Sequence, residues 1–283
     1  MPPLAVTRSG TGAPLVLLHG IGSSRRAWDP VLPALAARFD VIAVDLPGFG
    51  DSAPLYGQAE IPPARLAESV AVLLDELGVT APHLAGNSLG GWVALELAAR
   101  RPVASLTLLS PAGLWRRNSP RYGLVSLQVS RWLARHATAP LSRLVKYRLG
   151  RALVLGQTHG RPMRLTAGYA RAAIEALGRC PGFEAALAGT ARRRYLAAVP
   201  ASDTSDTPDA PIAAPVTVAF GSRDRLLLRG SRRLDQLPPH TQAESLPGCG
   251  HVPMADDPAA VAALITRTAT RAAEPTLETR MQN

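Results

Sequence analysis

The stretch His83-Leu84-Ala85-Gly86-Asn87-Ser88-Leu89-Gly90-Gly91 decides how the rest of the chain is read. Within it, Gly86-Asn87-Ser88-Leu89-Gly90 has the spacing Gly-x-Ser-x-Gly. An apolar run precedes it, and a helix-like run over residues 92–100 follows. A serine so placed sits on a tight strand-to-helix turn. Its oxygen projects from the end of a sheet. The peptide N–H groups after it open a helix N-terminus, whose partial positive charge favours an oxyanion. Five residues are too few to decide alone: a glycine-rich turn between a buried strand and a helix has the same letters. The surrounding chain must supply the context.

Outward from the motif, short apolar runs alternate with helical periodicity. Residues 4–6, 15–18, 41–44, 83–85 and 106–109 read as strands, and the four-residue run Leu15-Val16-Leu17-Leu18 is what a strand buried on both faces requires. Residues 28–38 and 64–77 read as helices between them. In the second, Leu66, Val70, Leu73, Leu74 and Leu77 share one face. Alternation of this kind implies a parallel sheet with right-handed crossovers. It breaks over residues 116–200, which show helical stretches and no strand. Residues 201–211 are a Ser/Thr/Asp/Pro loop. Strands then resume at 216–220 and 242–246, with helices near 231–237 and from 258 to about 273. The expected organisation is one α/β core, residues 1–114 and 211–283, interrupted by a helical cap over 115–210.

Composition bounds the function. A chain of 283 residues, 47% hydrophobic and 18% charged, is globular. Cys180 and Cys249 are too far apart for a metal or redox spacing. They read as reduced thiols, with a single disulfide as the alternative. The apolar run at 15–18 is too short for a secretory segment, and no run reaches membrane-spanning length. The expectation is a cytoplasmic protein with no metal and no cofactor.

A serine nucleophile needs a base to take its proton and an acid to orient the base. His251 is the candidate base. It follows Gly248-Cys249-Gly250, a loop able to return the imidazole to the sheet edge. His83 enters the motif strand at its wrong end, and His19, His136, His159 and His240 have weaker placements. Asp224, in Gly221-Ser222-Arg223-Asp224 after a buried strand, is the candidate acid. Asp45 precedes the serine, and Asp203, Asp206 and Asp209 lie in the linker. Serine, acid, histidine is the chain order of a nucleophile-elbow enzyme. The oxyanion donors would be the N–H of Leu89 and one from the loop after Leu18, Ile21 first and Gly22 second.

These matches, with Leu18-His19-Gly20, residues 45–52 (Asp-Leu-Pro-Gly-Phe-Gly-Asp-Ser) and Gly250-His251, resemble the α/β-hydrolase superfamily in order over nearly the whole chain. The resemblance implies an α/β-hydrolase fold: a mostly parallel eight-stranded sheet, with the helical insertion serving as a lid. It implies a serine hydrolase of carboxylic esters or related acyl bonds, with Ser88, Asp224 and His251 catalytic and Ile21 and Leu89 holding the oxyanion. Asn87 is similar to hydrolases that cleave carbon–carbon bonds in aromatic ring-fission products. The short loop at 19–22 and Val252 after the histidine depart from that subfamily. A non-catalytic ligand-binding protein on the same fold is the remaining alternative.

The charge of +10 is concentrated. Residues 116–200 hold sixteen arginines and lysines against two acids. Val125, Val129, Trp132 and Leu133 form one helical face, with Arg131 and Arg135 off it. Leu141, Leu144, Val145 and Leu149 repeat the pattern beside Arg143, Lys146, Arg148 and Arg151. One expectation puts the apolar faces over the catalytic cleft and the arginines in solvent. The other turns some arginines inward onto an anionic acyl substrate, or rests the basic helices on an anionic membrane. No nucleic-acid partner is expected, because no binding motif accompanies the charge.

Overall fold

Along the strand β2 (Ala13–Leu18), Leu15 and Leu17 join one hydrophobic cluster while Val16 and Leu18 join another. A strand points successive side chains to opposite faces, so an unbroken apolar run needs a layer of helix on each side. The computed structural model, which describes residues 2–196 and 212–272, supplies both. Helices α1 (Leu32–Ala36) and α9 (Pro258–Arg271) cover one face through Leu35, Val261, Leu264 and Ile265. Helices α2 (Pro63–Glu76) and α3 (Leu89–Ala98) cover the other through Leu66, Val70, Val93 and Leu97.

The remaining strands are β1 (Val6–Ser9), β3 (Phe39–Val44), β4 (His83–Asn87), β5 (Ser105–Leu109), β6 (Val216–Gly221) and β7 (Gln242–Leu246), in the order β1-β3-β2-β4-β5-β6-β7. Only β1 is antiparallel to its neighbour, with Val6 opposite Val44. The chain winds from β2 one way to β3 and then back past it to β4. The strand carrying the serine therefore lies mid-sheet at the switch point, where ligands bind such sheets.

The α/β-hydrolase fold implies eight strands, and seven form among the described residues. The residues before β2 supply one strand only, at Val6–Ser9 rather than 4–6. Two helix expectations also change. Residues 28–38 split into a 3-10 turn, Arg25–Trp28, and the short α1, because Pro30 and Pro33 confine helix to first-turn positions. Near 231–237 there is only the 3-10 turn Arg229–Ser231. Pro238-Pro239 ends that run before it can nucleate a helix. The linker at 201–211 with its three aspartates, the cap's limit at 210 and the last ten residues lie outside the described residues.

Between β5 and β6 the chain forms α4 (Arg121–His136), α5 (Thr138–Leu144), α6 (Arg148–Leu155), α7 (Ala167–Arg179) and α8 (Phe183–Ala191). Their small core contains Ala134, Val145, Leu155, Leu165, Ala170 and Ile174. The faces of α4 and α6 are reversed from the simplest expectation. Trp132 is 61% exposed, and Leu149 and Leu153 are each 78% exposed, whereas Arg131 and Arg151 keep only 7% and 8%. Helix ends explain it. Arg131 donates to the carbonyls of Leu177 and Cys180 at the end of α7, and pairs with Glu184 at 3.3 Å. Arg151 donates to Val145 and Lys146 O at the end of α5. Arg225 reaches Gly156 O past the end of α6. The last carbonyls of a helix have no partner within it and carry partial negative charge, so a buried guanidinium is well accommodated there.

Candidate active site

Ser88 ends β4 and begins α3 with φ 54° and ψ −115°, in the left-handed half of backbone space that a non-glycine residue rarely enters. The turn is closed by absence of side chains. A Cβ on Gly86 would press on the carbonyl of Gly90, and one on Gly90 would press on that of Leu18. Strain at Ser88 is thus held by the packing of β4, α3 and β2, and it lifts the hydroxyl off the end of the sheet.

His251 and Asp224 reach the same place from the loops after β7 and β6. His251 Nδ1 donates to Asp224 Oδ2 at 3.0 Å, and both side chains are buried. The other carboxylate oxygen accepts from the N–H groups of Leu226 and Leu227, each at 2.9 Å. Burial alone would raise the Asp224 carboxyl. The adjacent imidazole and these hydrogen bonds outweigh burial and bring it down to about 2. The carboxylate can only accept, so Nδ1 carries a proton, and in the neutral imidazole it is Nε2 that holds the lone pair. That Nε2 is buried with no hydrogen-bond partner among the described residues. It opens on a cavity of about 40 Å³ that Ser88 also lines, with Ile21, Leu89, Trp115, Leu127 and Leu187. The Ser88 hydroxyl is not hydrogen-bonded to it here, as is common before substrate binds. The N–H groups of Ile21 and Leu89 have no acceptor among the described residues. Among the described residues no arginine or lysine lines the cavity.

All five residues expected at the site thus meet at one sheet edge. Among the described residues no group of three or more metal-ligating side chains is present. Three further residues hold the site in roles that the sequence does not assign to them. Asn87 donates to His251 O at 2.9 Å and to Leu109 O at 3.0 Å. Arg232 donates to the backbone of Asp224 and Leu227. Asp256 accepts from the N–H groups of Gly160, Arg161 and Gly250, joining the cap to the histidine loop. An Asp-Asp-Pro at a helix start is a faint signal for it: Asp257 caps α9 by accepting from Ala260 N, which leaves Asp256 free for another task.

A sequence model described as "Alpha/beta hydrolase family" matches residues 15–264. The chain belongs to this family. Over 109 residues it is 47% identical to a pimeloyl-acyl-carrier-protein methyl ester esterase of Aeromonas hydrophila, covering 38% of this chain and 41% of that one. Over 113 residues it is 45% identical to the dihydrolipoyllysine-residue acetyltransferase component of the acetoin cleaving system of Pseudomonas putida, covering 39% of this chain and 30% of that one. The match thus spans less than half the length of either relative. An esterase from Thermogutta terrifontis superposes with a TM-score of 0.72 at 23% identity, over 95% of this chain and 93% of that one. At that identity the likeness is one of fold. The chain thus has the α/β-hydrolase fold and an esterase among its relatives, and no helix among the described residues is long and apolar enough to cross a membrane.

Proposed function

We propose that the protein is a serine hydrolase of carboxylic esters or a related acyl bond. Ser88 attacks the acyl carbon as His251 Nε2 takes its proton. Asp224 holds the reacting tautomer and stabilises the imidazolium. The N–H groups of Ile21 and Leu89 receive the oxyanion. His251 then protonates the leaving group, and water releases the acyl-enzyme by the same route. The observation that carries this reading is the buried, unpartnered His251 Nε2 opening on one cavity with Ser88 and two unpaired N–H groups.

Apolar walls with no cation favour an uncharged acyl group, not the anionic substrate that composition suggested. At about 40 Å³ the cavity holds little more than water, so an ester enters only as cap side chains such as Leu127 and Leu187 move aside. Carbon–carbon cleavage is the weaker reading, since the amide of Asn87, its motif residue, is engaged with two backbone carbonyls. The proposal takes 115–210 as a cap over the site. It places the protein in a reducing, cytoplasmic setting, which two free buried thiols fit.

A fluorophosphonate probe tests the nucleophile. It should label the native protein and spare Ser88→Ala; equal labelling of both overturns the assignment. A panel of short acyl esters and dienoate ring-fission products separates the two bond types. Turnover that vanishes in His251→Ala excludes a purely binding role.

A further inference from the structure

We infer that the outer face of the cap docks on an anionic lipid bilayer. Tyr122, Val125, Val129 and Trp132 recur at spacings of three and four along α4, which places them in one stripe. All four are more than half exposed. Leu149 and Leu153 form a second exposed stripe on α6, and Gln157 continues its spacing just past the helix end. Gln157 Nε2 donates to the Tyr122 hydroxyl at 3.1 Å, so the two stripes meet. Two helices of one cap thus turn bulky apolar side chains outward and bury arginines beneath them. Scattered apolar surface residues are ordinary, but a joined set with an aromatic member marks a surface that something covers.

Charge selects the occupant. Arg121 and Arg135 line one groove with the α4 stripe, and Arg143, Lys146 and Arg148 come just before Leu149 in the chain. All five are exposed, and no acid lies within ion-pair distance of them among the described residues. A second copy of the same face would set cation against cation. An anionic headgroup layer accepts apolar side chains at the acyl boundary and arginines at the phosphates, which is how a basic amphipathic surface lies on a bilayer. The groove beside the stripe, about 740 Å³ between α4 and α8, has Leu187 as part of its wall, and Leu187 also lines the catalytic cavity. A docked membrane would therefore lie one side chain from the serine.

The four tryptophans make the test direct, because Trp28, Trp92 and Trp115 are buried and Trp132 is exposed. Vesicles of equal parts phosphatidylglycerol and phosphatidylcholine should sediment the full-length protein, shift its fluorescence to the blue and protect it from acrylamide. Vesicles of phosphatidylcholine alone should do so far less, and added salt should weaken the binding. The double variants Val125→Ser/Val129→Ser and Leu149→Ser/Leu153→Ser should each bind at least about tenfold more weakly. Circular dichroism and turnover of a water-soluble ester should stay as in the native protein. Ser88→Ala should bind as the native protein does, which separates this inference from the catalytic reading. Four results overturn it: no binding to anionic vesicles; binding unchanged in both double variants; a dimer in sedimentation equilibrium that either variant dissolves; or a Trp132 already shielded from acrylamide in the monomer without vesicles, which would mean that the chain covers its own face.

Discussion

The sheet edge and the cap are built from opposite arrangements of the same residue types. In the core, leucine and valine point inward from β2 on both faces and the polar groups gather at strand ends. In the cap, Arg131 and Arg151 lie inside while Trp132, Leu149 and Leu153 face out. Periodicity reports which side chains share a face of a helix. It does not report which face the fold turns inward. In α2 the apolar stripe is the buried one, because a sheet lies against it. In the cap, unpaired carbonyls at the ends of α5 and α7 draw arginines into the interior.

The largest effect belongs to the core. Asp224→Asn keeps the shape of the site but removes the acceptor that holds the proton on His251 Nδ1. Loss of the reacting tautomer should lower kcat by about 10⁴-fold with little change in KM, measured by steady-state turnover of a soluble ester. A loss of tenfold or less would mean that the core site is not organised as a triad.

The next effect lies at the seam. His159 is buried in the segment after α6, next to Gly160 and Arg161 that donate to Asp256, and its ring meets the Tyr169 ring edge-on with centroids 5.7 Å apart. Burial pushes its imidazole from 6.5 down to about 4, despite the nearby Asp256 carboxylate, with the His251 charge adding to the depression. The unfolded chain therefore binds this proton more readily than the folded one. Its contribution is present in full above the unfolded value and is lost as pH falls from about 6.5 towards 4. A shift of this size corresponds to roughly 3 kcal/mol. Urea unfolding at neutral pH and near pH 4.5 should record that decline, and His159→Gln should remove its own share, leaving the part due to His19 and His83, whose imidazoles burial also lowers. An unaltered slope in the variant would place the acid sensitivity elsewhere.

How far the site could be read from the chain follows from how local each cause is. Ser88, Asp224 and His251 each sit just past a strand and beside glycines, so strand periodicity and turn residues place all three. The same reasoning yielded seven strands, and the eighth came only with the family resemblance. Asp256 leaves only a faint trace in the sequence because its cap partners Gly160 and Arg161 are 96 and 95 residues away, and nothing near it in sequence mentions them. In the sequence Asn87 is a hint of substrate, yet its amide reaches the backbone of His251 across 164 residues. The face of α4 was ambiguous for the same reason. What turns Arg131 inward is the end of α7, which the sequence of α4 does not contain.

The smallest effect is the sharpest test of the contrast, because ordinary expectation runs the other way. Replacing a tryptophan by serine in a core costs about 3–5 kcal/mol, whereas trimming a surface arginine costs almost nothing. Here the order should invert. Arg131→Met removes the donor to Leu177 O and Cys180 O and leaves buried carbonyls unpaired, so it should lower the unfolding free energy by about 1–3 kcal/mol. Trp132→Ser loses a tilted contact with the His136 ring at 5.3 Å and little else. Helix propensities of Trp and Ser are close, so its change should stay within about 0.5 kcal/mol of zero. Both can be read from urea titrations of the full chain. A large loss for Trp132→Ser with none for Arg131→Met would mean that α4 presents its other face to the core. The cap would then obey the same rule as the sheet, and the exposed stripe would no longer need a partner.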